Sequence, residues 1–153
     1  MRECPSVSNR PSDDMMCVML FLKLKVWPVI AGFIAASIVM MAFEYTNSFF
    51  FPLPEDLDWA NPEAVRALTA SLPWTAYILV LLGWMAGSFT GGYVATYLSG
   101  KAQYRVALAL GILLTLAGIW NVMLIGHSTL FNIIALPQFL IFSYLGHGWR
   151  ARV

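Results

Sequence analysis

Apolar residues run through this chain in long uninterrupted tracts, and the tracts set the architecture it predicts. A helix rises about 1.5 Å per residue, so about 20 mostly apolar residues are needed to cross a hydrocarbon core about 30 Å thick. One tract runs from Val26 to Phe43 and stops at Glu44, with Pro28 acceptable because the first turn of a helix has N–H groups to spare. A second lies between Arg66 and Lys101, its membrane part starting at Pro73. The third is uncharged from Val106 to Trp149; as a single helix it would be about 66 Å long, about twice the bilayer core. It has to fold back. Gly126, His127, Ser128 and Thr129 at its midpoint supply a tight turn, with Ser128 or Thr129 placed to cap the next helix. The pattern therefore predicts an all-α polytopic membrane protein, an antiparallel bundle of four transmembrane helices with spans near 26–45, 73–99, 104–125 and 129–148.

Charge changes the picture by giving the bundle a direction. Lys23 and Lys25 precede the first span, Lys101 and Arg105 separate the second from the third, and Arg150 and Arg152 follow the fourth. With four crossings all six lie on one face, which the positive-inside rule makes cytoplasmic, so both termini are cytoplasmic. The other face carries Arg66 with Glu44, Glu55, Asp56, Asp58 and Glu63. A single long third helix would put Arg105 and Arg150 on opposite faces, so the charge sorting supports the reversal at His127 independently. Tyr45, Trp59, Trp74 and Tyr77 mark the outer interface, and Trp27, Tyr97, Tyr104, Tyr144 and Trp149 the inner one, where amphipathic rings prefer to sit.

Composition agrees. Of 153 residues 59% are hydrophobic and only 11% charged, too few charges to cover the surface of a soluble domain. A net charge of +1 leaves no excess of basic residues to neutralise phosphates, which excludes a general affinity for nucleic acid. Residues 1–22 form a cytoplasmic tail, polar over 1–14 with Pro5 and Pro11 and no apolar period, and are expected to be disordered. Met15, Met16 and Met19 crowd its end, and any of them could be the true start. Cys4 and Cys17 lie in this tail outside the expected helices, without the CxxC pair of membrane thiol oxidoreductases, and are read as reduced cytosolic thiols. Residues 23–153 form the membrane domain.

Residues 45–72 are the one sizeable segment outside the membrane. Phe49, Phe50 and Phe51, followed by Pro52 and Pro54, predict an extended stretch on the lipid interface. Asn61 then caps a short helix beginning at Pro62, with Glu63 at the positive end of its dipole and Val65, Leu68 and Leu72 at helical spacing. The carboxylates of Glu55, Asp56 and Asp58 lack the glycine turn and glutamate of a calcium loop.

The sharpest motif is on the second span. Gly83, Gly87, Gly91, Ala95 and Ser99 recur every four residues, a ridge almost bare of side chains, with Ser88, Gly92, Thr96 and Gly100 beside it. Such ridges let another backbone approach closely, and close packing drives helix association where lipid removes the hydrophobic driving force. Ala107, Gly111 and Thr115 offer a matching groove on the third span, and Gly32 and Ala36 a weaker one on the first. The ridge serves packing within the bundle, a homodimer or a membrane-protein partner.

Intramembrane polar residues are the other candidates. Asn121 and Asn132 lie at equal distances either side of the turn, placed to hydrogen-bond across the hairpin; Glu44 ends the first span at the same level and His127 is in the turn. Gln138 follows Pro137, which frees the Ile133 carbonyl, so the amide can meet that carbonyl or line a small cavity. Together Glu44, Asn121, His127, Asn132 and Gln138 make a candidate outward-facing polar pocket, against the plainer reading that the amides staple the hairpin. His127 and His147 are about 30 Å apart along a helix and cannot share a metal. No HExxH, GxSxG or phosphate-cradling loop occurs, so no metal, cofactor or catalytic residue is assigned.

The segments PLPEDLDWANPEAVRALTASLPWTAYILVLLGWMAGSFTGGYVA and AxxxGxxLTLAGIWNxxxI, the latter over 107–125, resemble an uncharacterised family of small four-helix bacterial inner-membrane proteins. The resemblance spans residues 26–148 and rests on the order LP, GW, GG and on Asn121; the family's His-Pro pair in the last turn is His127-Ser128 here. It implies a bacterial inner membrane and supplies no activity. The functional expectation is a non-enzymatic accessory or organising protein acting through helix contacts, with a small transporter or channel using the polar pocket as the alternative. A carboxylate deep in the first span would favour transport, and Glu44 is at its end.

Overall fold

A computed structural model describes residues 11–58, 60–100, 104–125 and 129–152, with side chains from Val26 onward except at Thr129 and Leu130. The described chain is all-helical: α1 (Pro11–Phe50), α2 (Pro62–Ser71), α3 (Trp74–Leu98), α4 (Tyr104–Ile125) and α5 (Thr129–Arg152). Val26–Phe50, Trp74–Leu98 and Tyr104–Ile125 are each long and apolar enough to cross a membrane. The 24 residues of α5 would span about 36 Å, but Asn132, Pro137, Gln138, Ser143 and His147 make it less apolar.

The third and fourth helices begin where the apolar pattern puts them, while α1 is longer than expected at both ends. It starts at Pro11, so residues 11–22, assigned to the disordered tail, are helical, and Cys17 lies within the helix. Pro11 suits a first helical position, and no breaker follows it before the apolar tract. At the far end the helix passes Glu44 and stops at Phe50, because Thr46 and Ser48 bond back to the Ala42 and Glu44 carbonyls and no proline intervenes until Pro52. Phe49 and Phe50 are therefore helical rather than extended, their rings edge to face at 5.7 Å. The expected turn at Gly126, His127 and Ser128 lies outside the described residues.

Caps behave as the sequence dictates. The Asn61 side chain accepts from the Glu63 and Ala64 amides at 3.0 and 3.4 Å, with Pro62 opening α2. Val65 and Thr69 are the buried positions of α2, and the Tyr77 hydroxyl donates to the Thr69 carbonyl, tying α2 to the start of α3. At the other end of α3, Ser99 is the C-cap and Gly100 takes φ 68°, a left-handed conformation that suits glycine past a helix end. Gly100 thus terminates the helix instead of extending its second ridge.

The four long helices run alternately up and down, with α3 at the centre. Its most extensive seams are with α1 and α5, α4 packs chiefly on α5, and α1 and α4 barely touch. The core is small and aromatic-rich: Ala36, Trp84, Ala95, Val106, Leu110, Leu114, Phe131, Ala135 and Phe139. Outside it, α1 exposes Ile30, Ile34, Ile38, Met41 and Tyr45 along one stripe, and α4 exposes Leu108, Ile112, Leu116 and Trp120, the arrangement expected of helices solvated by hydrocarbon.

Candidate functional site

Two of the polar residues singled out from the sequence meet in one place, and the packing of α3 explains why there is room for them. The ridge Gly83, Gly87, Gly91 and Ala95 is filled by α1. A methyl group on Gly91 would lie 2.7 Å from the Gly32 carbonyl oxygen, and one on Gly32 2.7 Å from that of Gly91. Gly87 faces the Ala36 carbonyl and Met40, and Gly83 faces Phe43. Ser99, the last expected member, caps α3 and bonds the Thr96 carbonyl at 2.8 Å. The second ridge meets α5, where a Cβ on Gly92 would collide with the Ser143 backbone and one on Gly146 with the Phe89 carbonyl. So the partner of the main ridge is the weaker Gly32/Ala36 motif, whereas Gly111 of α4 packs against Leu140 and Phe139 of α5.

Leu110 of α4 sits over the Gly32–Gly91 contact, where its Cδ2 would be 3.1 Å from a methyl group on either glycine. There α1, α3 and α4 are in contact. Towards the α2 end α1 and α4 separate into a half-open cleft of about 150 Å³. Phe33, Ser37, Met40 and Glu44 line it along one face of α1, and Leu114, Ala117, Gly118 and Asn121 along α4. Trp84 of α3 and Phe139 of α5 form the floor, with ring centroids 5.2 Å apart; Phe131 packs on Trp84 at 5.6 Å and Tyr77 on Phe131 at 5.4 Å. The aromatic column leads from the α2 end to the base of the cleft.

Its polar groups differ in how they are engaged. The Ser37 hydroxyl is spent on the Phe33 carbonyl at 2.9 Å. Glu44 is exposed at the mouth. Asn121 Oδ1 is buried and has no hydrogen-bond partner, so the expected amide staple to Asn132 is not made through that atom; the residue lines the cleft instead. Gln138 is 4% exposed, and neither its Oε1 nor its Nε2 has a hydrogen-bond partner, so it does not meet the Ile133 carbonyl. Both Gln138 and Asn132 lie outside the cleft, and His127 is outside the described residues. Of the five expected pocket residues the fold thus brings Glu44 and Asn121 together.

Sequence reasoning missed Trp84, Phe139 and Ser37. The signal is there on α1, where Phe33, Ser37, Met40 and Glu44 follow one another at helical spacing, so the face carrying Glu44 can be traced inward. A second polar cluster holds the opposite end of the bundle: buried His147 has its Nδ1 3.3 Å from the Thr96 hydroxyl, and the Arg150 guanidinium lies 5.0 Å over the Tyr97 ring. These groups join α3 to α5.

Comparison with known protein families, curated proteins and solved structures gave no match.

Proposed function

We propose that this protein is a four-crossing bundle of the bacterial inner membrane, with both termini cytoplasmic, that takes a small guest into the α1/α4 cleft from the outer side. The observation that carries this reading is a seam left open between two long helices, with the Glu44 carboxylate at its mouth, Asn121 on its wall and aromatic rings at its base. The cleft is a place for binding rather than chemistry, since among the described residues Glu44 is the one ionisable group that lines it and acid–base catalysis needs a proton donor and acceptor matched in place.

An accessory role through helix contacts is the second reading. Both small-residue ridges of α3 are covered within the chain, so a membrane partner or second copy would dock on the exposed stripes of α1 or α4, which bear no association motif of comparable sharpness. The transporter-like reading uses a feature the bundle leaves open, and it is the one adopted.

Cysteine labelling in intact cells tests topology and access together. With Cys4 and Cys17 replaced by serine, Glu44→Cys and Asn121→Cys should react with an impermeant thiol reagent from outside, and Ala151→Cys only after the membrane is broken. External labelling of Ala151→Cys would put the C-terminus outside and would sink the proposal.

A further inference from the structure

The cleft's size, its carboxylate and its aromatic floor together restrict what it can hold. A cleft of about 150 Å³ has room for about one benzene ring, so the part of the guest that it covers is a single ring or a short branched alkyl group. Its polar end meets the Glu44 carboxylate, exposed at the mouth, with Asn121 on the α4 wall. An anion would be repelled by that carboxylate, and an uncharged hydrocarbon chain would give it no counter-charge. The floor is Trp84 against Phe139, with Phe33 on the α1 wall, rings on which the apolar body of a guest packs.

We propose that the cleft binds small organic ammonium ions, the charged nitrogen lying at Glu44 and the apolar body against Phe33, Trp84 and Phe139. The inference rests on the cleft being a guest site, and it adds the chemical class of the guest. A lipid acyl chain entering sideways is the chief rival occupant; it would use the apolar walls and ignore Glu44.

Three probes sharing a benzyl body separate the cases: benzylammonium, benzyl alcohol and phenylmethanesulfonate, titrated calorimetrically into the full-length protein in dodecyl maltoside. The cation should bind about ten-fold more tightly than the alcohol, a difference of about 1.4 kcal/mol, and the sulfonate should not bind. Glu44→Gln should bring the cation down to the level of the alcohol and leave the alcohol unchanged. Ala117→Phe, on the α4 wall, should abolish both; Ala117→Leu, a smaller plug, keeps the test open if the ring unsettles the bundle. Equal binding of cation and alcohol, or a cation indifferent to Glu44→Gln, overturns the ammonium assignment while the cleft remains a guest site. If no probe binds, or neither plug alters binding, the cleft itself is not a guest site and the proposed function falls with it.

Discussion

The two long sides of α1 are built from the same chain yet end differently. Against α3 it presents Gly32 and Ala36, and the backbones close until a methyl group on either Gly32 or Gly91 would lie 2.7 Å from the other's carbonyl oxygen. Against α4 it presents Phe33, Ser37, Met40 and Glu44, and a cleft remains. On the α3 side small residues trade few atoms of their own for many backbone contacts; on the α4 side the helices part beyond Leu110, and the side chains there leave the gap unfilled. The closed seam supplies stability and the open one supplies somewhere to bind.

Filling the closed seams should do the most damage. Gly92→Leu drives a side chain into the Ser143 backbone and is expected to cost more than about 3 kcal/mol, read as loss of the folded bundle in thermal unfolding in detergent. Gly91→Ala should cost about 1–3 kcal/mol, although in an open helix the same change would gain about 1 kcal/mol. A rise in melting temperature would therefore show that α1 does not lie on this ridge. Gln138→Leu removes two buried polar atoms that have no hydrogen-bond partner and should stabilise by about 1 kcal/mol, seen as a higher unfolding midpoint. The smallest effect belongs to the open side. Asn121→Ala should move stability by no more than about 0.5 kcal/mol because Oδ1 has no hydrogen bond to lose; a larger loss would restore the hairpin-staple reading.

The helices are legible in the residue pattern to different degrees, and the exceptions have local causes. The bounds of α4 match the expected 104–125, since Arg105 and the polar turn fence its apolar run. The end of α1 lies beyond the expected stop at Glu44, because a carboxylate at the edge of an apolar helix needs only a route to water and does not terminate the helix. The capped helix α2 is readable directly from Asn61, Pro62 and Glu63. Polar pairing is harder. Asn121 and Asn132 are symmetric about the turn in sequence, but a rotation of α4 about its axis sends Asn121 to the cleft, and no spacing rule fixes that rotation.

By itself the sequence determined that the chain is helical, that three of the four expected spans are long and apolar enough for a bilayer, and that α3 has two faces fit for backbone contact. These follow from hydropathy and side-chain size, which are properties of each segment alone. Only the tertiary structure decided that the strong ridge pairs with the weak motif on α1, that Gly111 turns to α5, and that Glu44 and Asn121 share a cleft over Trp84 and Phe139. Those outcomes depend on how four helices divide a limited set of small faces among themselves, a competition that no single helix encodes.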